Sequence, residues 1–175
     1  MPNGRRRPRS RNRGSGRRAA AVVSLFIAVG LFAGVALAQA QDPSAAIDRD
    51  FDRATQLHQS GDLQGAVRGY LSILANHPAR VDVRSNLGAA YSALGRYEEA
   101  IDQYKRALVI DPTNYAIRFN LGMAYYKAAW FIESATELER FLAAGPQTPQ
   151  KLNARVVLAD CHIRLGEYKK VIDAL

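Results

Sequence analysis

The stretch Asn86–Pro112, NLGAAYSALGRYEEAIDQYKRALVIDP, predicts two α-helices joined by a glycine turn. Leu87, Tyr91 and Leu94 recur at i, i+4 and i+7, which places them on one face of the first helix. Gly95 follows that face directly, and glycine readily takes the left-handed conformation that ends a helix. The first half of the stretch therefore predicts a helix with one apolar side and a defined end.

The second half of the stretch predicts a partner helix. Ala100, Tyr104, Ala107 and Leu108 form its apolar face, and Pro112 ends it because proline lacks an amide donor and clashes with the preceding turn. Each helix is apolar on one side only, so neither is stable alone in water. We expect the two helices to pack against each other and against neighbours.

This pattern recurs at a spacing of 34 residues along the chain. The matching pairs are Gly61 and Gly95, Ala66 and Ala100, Tyr70 and Tyr104, Pro78 and Pro112, Leu87 and Leu121, Gly88 and Gly122, Tyr91 and Tyr125, and Pro112 and Pro146. The last copy is displaced by three residues, which we assign to Thr148–Gln150. The residues expected to pack the repeats are Leu87, Gly88, Tyr91, Gly95, Ala100, Tyr104, Ala107, Pro112, Leu121, Gly122, Tyr125 and Pro146.

A helix–turn–helix unit of this length and residue order resembles the tetratricopeptide repeat family. The resemblance covers about residues 47–175 and implies an all-α fold, an α-solenoid of about three and a half repeats. The expected repeats are about 47–80, 81–114, 115–148 and an incomplete 152–175. First helices are expected at about 45–59, 80–94, 114–128 and 151–165, and second helices at about 63–75, 97–110, 131–144 and 168–175. The third copy departs from the pattern at Ser134, Phe141 and Ala129-Trp130, the last standing where a glycine turn is usual.

The positive charge of the chain is confined to its N-terminus. The net charge of +8 comes from 24 Lys and Arg against 16 Asp and Glu, and residues 1–18 hold eight arginines and no acid. The remainder is therefore neutral overall. Nucleic-acid binding by this tail is the rival interpretation, but the tail has no aromatic residue to stack on bases and continues directly into an apolar segment. We expect no nucleic-acid partner.

The N-terminal order of segments is typical of export. Residues 1–18 form an Arg-rich cytoplasmic region, residues 19–38 form one apolar helix that is either a signal-peptide core or a transmembrane anchor, and residues 39–46 form a linker. The length of the apolar run favours an anchor, whereas Ala36-Leu37-Ala38 favours cleavage near Ala38, which we prefer. Both alternatives predict a periplasmic or extracytoplasmic location, soluble or anchored in the inner membrane. Membrane contact through residues 19–38 is expected if cleavage does not occur.

Residues with catalytic or metal-binding potential are scattered in the sequence. His58, His77 and His162 lie far apart, and Cys161 is the only cysteine, so neither a metal cluster nor a disulfide is indicated. The sequence also lacks a phosphate-binding loop and a nucleophile elbow. We expect no enzyme activity, no cofactor and no metal.

The resemblance implies a protein or peptide partner bound in a groove lined by the first helices. Asn86 and Asn120 are equivalent in neighbouring repeats, and asparagine offers both donors and an acceptor to a peptide backbone. Lys127 and Arg164 suit a carboxylate. The candidate groove residues are Asp52, Thr55, Ser85, Asn86, Phe119, Asn120, Met123, Tyr126, Lys127, Asp160 and Arg164.

The sequence thus favours a non-enzymatic interaction scaffold of the periplasm or cell envelope. The alternative is the N-terminal interaction domain of a longer envelope protein that is itself an enzyme. The last predicted helix, Tyr168–Leu175, is short and apolar on one side, so we also expect self-association, or a covering partner, at this end.

Overall fold

The computed structural model describes residues 43–144 and 148–174, and every regular element within them is an α-helix. All predicted helix boundaries agree with the observed ones to within two residues. The helices are α1 (Pro43–Gln59), α2 (Leu63–Asn76), α3 (Val81–Ala93), α4 (Tyr97–Ile110), α5 (Tyr115–Lys127), α6 (Phe131–Ala144), α7 (Gln150–Arg164) and α8 (Tyr168–Ala174).

The predicted glycine turn is confirmed. Gly95 has φ of +73°, the left-handed region, and its amide donates to the Ser92 carbonyl at 3.1 Å. The corresponding turn after α5 is made by Ala129, whose φ is +62°. Among the described residues it is the one residue other than glycine with a positive φ. The turn therefore has the same shape in both repeats, although alanine is strained there.

Two helical glycines allow the helices of a pair to approach closely. A Cβ added to Gly88 would lie 2.7 Å from the ring of Tyr104, and one added to Gly122 would lie 2.8 Å from Leu138. Both partners are fully buried. The prediction that the missing side chain of Gly88 admits a neighbouring helix is confirmed, and Tyr104 is the residue that fills the space.

The core consists of two clusters that meet at α5. The first runs from Ala54 in α1 to Tyr125 in α5, and the second runs from Ala135 in α6 to Cys161 in α7. Ile117 and Leu121 of α5 belong to the first cluster, whereas other side chains of α5 pack against the second. Helix α5 therefore couples the two halves of the stack.

An arginine in the first helix of two repeats ties each repeat to the one before it. Arg84 donates to the Pro78 carbonyl at 2.9 Å and to the Gln103 amide oxygen at 3.0 Å. Arg118 donates to the Pro112 carbonyl at 2.8 Å and pairs with the Glu137 carboxylate at 2.7 Å. Both ties use positions 34 residues apart in the sequence, so the same contact recurs in successive repeats.

Residues 1–42, 145–147 and 175 lie outside the described part, and the predictions for residues 1–38 and for Pro146 fall there. The predicted linker 39–46 is wrong for residues 43–46, which belong to α1. None of the helices described is both long enough and apolar enough to span a bilayer.

Candidate functional site

Helices α3 and α5 lie side by side and enclose two cavities between them. One cavity is lined by the N-terminal parts of both helices and the other by their C-terminal parts, so the two helices are parallel. We call this boundary the α3–α5 seam. One cavity lies at the N-terminal ends of the two helices and the other at their C-terminal ends, with α4 behind the second.

The cavity at the C-terminal ends has a volume of about 360 Å³, and we call it the Lys127 cavity. The cavity is open because the alanine and serine side chains of α3 are too small to fill the space between α3 and α5, and the tyrosine rings of α4 border it. Its lining residues are Ala89, Ser92, Ala93, Tyr97, Tyr104, Asn120, Met123, Ala124 and Lys127.

The cavity at the N-terminal ends has a volume of about 550 Å³, and we call it the Asp111 cavity. It is bordered by the loop between α4 and α5 as well as by the two helices. Its lining residues are Val81, Asp82, Ser85, Asn86, Asp111, Asn114, Ala116 and Ile117.

The structure places the two predicted asparagines at this seam, one in each cavity. Asn86 lines the Asp111 cavity and Asn120 lines the Lys127 cavity, and both are half-buried. Neither side chain makes a hydrogen bond to another described residue. Their amides are thus available to an external donor and acceptor.

The two cavities differ in charge. Lys127 is the charged residue of its cavity, and it forms no ion pair with any described residue. The other cavity contains the carboxylates of Asp82 and Asp111. Hydrogen bonds from Thr113 and then from Asn114 lower the pKa of Asp111, so this carboxylate is ionised at neutral pH.

Three other predicted groove residues form a cluster that joins α5 to α7. The Tyr126 hydroxyl donates to Asp160 at 2.6 Å, and Arg164 pairs with the same carboxylate at 2.6 Å. The Arg164 guanidinium lies 5.0 Å from the ring centre of Phe131. Because Arg164 already has a carboxylate partner, this cluster links two repeats and leaves no free cation for a ligand.

The pKa values within this cluster follow from those contacts. The Arg164 hydrogen bond, followed by that of Tyr126, lowers the pKa of Asp160. The same bond to Asp160 raises the pKa of Tyr126, so its hydroxyl stays protonated and continues to donate.

Of the remaining predicted groove residues, Met123 and Ser85 line the two cavities of the seam, whereas Phe119, Thr55 and Asp52 do not. Phe119 packs on Phe141 with ring centres 5.3 Å apart, and Met123 packs against the second core cluster. Thr55 accepts a hydrogen bond from Tyr70 at 3.4 Å, and Asp52 is exposed. Ser85, which is half-buried, lines the Asp111 cavity.

Sequence reasoning missed the carboxylates of the Asp111 cavity, although Ser85 and Asn86 of the same cavity are predicted groove residues. The pattern predicts a helix stop at Pro112 and assigns no ligand contact to the residues on either side of it. Asn114 caps α5 through the Ile117 amide at 3.2 Å, and Asp111 accepts from the Thr113 hydroxyl at 2.9 Å. The Asp-Pro-Thr-Asn turn was a usable signal, because such turns hold a carboxylate at a helix start.

The histidine and cysteine in α7 are structural. His162 is buried and contacts Glu167 at 2.9 Å, which connects the end of α7 to α8. Cys161 is fully buried and lies 3.5 Å from the Ser134 hydroxyl. Within residues 43–144 and 148–174, no group of three or more His, Cys, Asp or Glu could hold a metal ion.

Comparison with known proteins agrees with the helical-pair architecture. The family model described as TPR repeat matches residues 88–128, from the middle of α3 to the end of α5. No curated protein sequence matches the chain.

Solved structures extend the likeness to most of the chain. A crystal structure of MamA is 26% identical, with 69% of each chain covered and a TM-score of 0.64, and a second MamA structure is 26% identical, with 73% of this chain and 68% of that chain covered and a TM-score of 0.68. The Yersinia enterocolitica type III secretion chaperone SycD, in complex with a peptide of the translocator YopD, is 17% identical, with 69% and 95% covered and a TM-score of 0.64. The chain thus has the fold of a TPR-type helical solenoid, which suggests a protein–protein interaction scaffold.

Proposed function

We propose that this protein is a non-enzymatic scaffold that binds an extended peptide segment of a partner protein along the α3–α5 seam. The observation that carries the proposal is that Asn86 and Asn120, each in its own open cavity, make no side-chain hydrogen bond to another described residue. A half-buried amide without an internal partner is costly unless water or a ligand satisfies it.

An extended peptide satisfies such amides well. Each residue of its backbone presents one donor and one acceptor, and a primary amide pairs with both. Cavities on either side of the amides then accommodate side chains, which provide specificity. SycD, which shares the fold, is known in complex with a peptide, so a solenoid of this kind accommodates a peptide ligand.

A selection from a random twelve-residue peptide library tests this proposal. The wild-type chain is expected to enrich a family of sequences, and Asn86→Ala/Asn120→Ala should bind those peptides at least tenfold more weakly, since each lost hydrogen bond costs about 1 kcal/mol. Fluorescence anisotropy measures the binding.

The matched control is Asn76→Ala/Asn153→Ala, which removes two exposed asparagines that lie outside the seam. Its binding should equal that of the wild type. Equal binding by the two double variants, at equal melting temperature, contradicts the proposal, as does a selection that enriches no sequence family.

We further propose that residues 1–38 export the scaffold to the periplasm or cell envelope. The basic residues 1–18, the apolar residues 19–38 and the small residues at Ala36-Leu37-Ala38 support this. Intact mass of the protein from cells distinguishes a product that begins near Gln39 from a retained anchor. A full-length protein in the cytosolic fraction would contradict export.

A second copy of the chain is our proposed occupant of the apolar face on α8. Ile172 is 81% exposed, whereas the equivalent Ile101 is 4% exposed beneath the following repeat. At the other end, α1 places exposed Arg53 where α3 has the buried Leu87. Because the outer face of α1 is polar, copies would associate through α8 on both sides and not head to tail.

A further inference from the structure

The α3–α5 seam has opposite charges at its two ends. The Lys127 cavity has no acidic residue in its lining, and its cation forms no ion pair with any residue of the described helices and loops. The Asp111 cavity contains two carboxylates and no basic residue. Since both cavities lie between the same two helices, a ligand along the seam meets a negative end and a positive end.

The carboxylates differ in how far they are neutralised. Asp82 accepts from Arg80 at 2.6 Å and is paired within the protein. Asp111 accepts only from Thr113 and Asn114 among the described residues, so its charge has hydrogen-bond donors but no cation. Asp111 is therefore the carboxylate that an external cation would meet.

The separation of the two cavities follows from helix geometry. Their lining residues are displaced by about eight positions along both α3 and α5, which at 1.5 Å per residue is about 12 Å. An extended peptide advances about 3.3 Å per residue, so about four residues cover this distance. Asn86 and Asn120 lie between the charged ends, beside the backbone of such a peptide.

We propose that the seam selects an extended peptide in which a basic and an acidic side chain lie about four residues apart, the basic one at Asp111 and the acidic one at Lys127. The two asparagines hold the intervening backbone. This inference rests on the proposed peptide-binding function and adds the charge pattern and the orientation of the ligand.

Helix stabilisation is the ordinary role for these charges. Lys127 ends α5, where a cation interacts favourably with the helix dipole. That role affects the stability of the protein but not the sequence of a bound peptide. The readout must therefore be the selected sequence.

Peptide selection with the purified full chain in detergent provides this readout. The probe is the random twelve-residue library, applied to the wild type and to Lys127→Glu. The wild type should enrich peptides with a Lys or Arg about four residues from an Asp or Glu. Lys127→Glu should lose the acidic preference, and wild-type-selected peptides should bind it at least about fivefold more weakly, with a smaller difference at high salt.

Lys105→Glu is the matched control, since it makes the same change in charge at an exposed position of α4 outside both cavities. It should enrich the same sequences as the wild type. The double variant Asp111→Lys/Lys127→Glu reverses the charge at both ends of the seam. It should enrich peptides with the same pair of charges, bound in the opposite direction along the seam. A paramagnetic label at one end of the peptide shows this direction, because it broadens the signals of the nearby protein residues.

The possible outcomes separate this inference from the function on which it rests. Enriched peptides that depend on Asn86 and Asn120 but lack the charge pair overturn the charge pattern and leave peptide binding standing. Identical sequences from the wild type and Lys127→Glu also overturn it. A library that yields no enriched family contradicts both proposals.

Discussion

At the residue scale, equivalent positions in neighbouring repeats are packed by different side chains. Gly88 faces the ring of Tyr104, whereas the equivalent Gly122 faces the smaller side chain of Leu138. Ser134 stands where the preceding repeat has Ala100. Ser134 is fully buried, and its hydroxyl donates to the Gly122 carbonyl at 2.9 Å. This hydrogen bond links α6 to α5 and compensates for the burial of the serine hydroxyl, so serine can replace alanine at this position.

The strained turn at Ala129 leads to a stability prediction. Ala129→Gly should stabilise the protein by about 1 kcal/mol, because alanine pays for the left-handed conformation that glycine adopts freely. Urea unfolding followed by circular dichroism measures the change. Ala128→Gly is the matched control, since Ala128 has an ordinary helical φ of −77° and the substitution there should not stabilise. Equal effects of the two changes would contradict the strain argument.

At the scale of elements, α5 holds the stack together and forms one side of the seam. Its Ile117 and Leu121 enter the first cluster, Tyr126 reaches Asp160 on α7, and Arg118 binds the loop before it. These anchors lie on several sides of the helix. Because they hold α5 in place, they also fix the positions of Asn120 and Lys127, as a preorganised binding surface requires.

The α5–α7 link should make stability depend on pH in the acid range. The pKa of Asp160 is lowered in the folded state, so its contribution is present above the unfolded-state pKa of about 3.9 and is lost as the pH falls through the lower folded-state pKa. Asp160→Asn should therefore be less stable than the wild type at pH 7, by less than about 1 kcal/mol because the pair is partly exposed. The difference should shrink as the pH falls below about 4.

Urea unfolding from pH 7 to pH 2.5 measures this convergence. Asp52→Asn is the control, because Asp52 is exposed and forms no ion pair with another described residue. Its difference from the wild type should stay near zero throughout. A difference for Asp160→Asn that stays constant with pH would show that the carboxylate charge does not stabilise the link.

At the scale of the whole described stack, the two ends have different surfaces. Arg49, Arg53 and Gln56 on the outer side of α1 stand where α3 has Val83, Leu87 and Ala90, which are fully buried. Large apolar side chains are exposed on α7 and α8, among them Leu152, Tyr168 and Ile172. The apolar face on α8 is the surface through which we propose that copies of the chain associate.

Cysteine cross-linking in the full chain tests this association. Ile172→Cys should give a product of doubled mass with a short bis-maleimide, because a two-fold contact through α8 brings the two copies of this residue together. Val109→Cys is the matched control, since Val109 on α4 has the same exposed fraction of 81%. The native Cys161 is buried and should react little. Equal cross-linking of both variants, or none, would contradict the association.

The sequence by itself determined the helices, their order, the glycine turns and the buried faces, because local residue patterns set the helices and the repeat period sets which faces meet. The 34-residue period also predicted that Asn86 and Asn120 share a surface. Only the tertiary structure decided which of the candidate residues are free. It showed Arg164 paired with Asp160, Phe119 packed on Phe141, and Lys127 without an ion-pair partner in the part of the chain that the structure describes.

The physical reason for this division lies in the range of the interactions. The periodicity of apolar residues reports burial, and burial in a repeat protein is set by neighbouring helices of known register. Hydrogen bonds and ion pairs between repeats depend on side-chain reach across some 34 residues of chain, which one sequence does not specify. The acidic cavity at Asp111 and the basic cavity at Lys127 therefore became visible only when α3 and α5 were placed side by side.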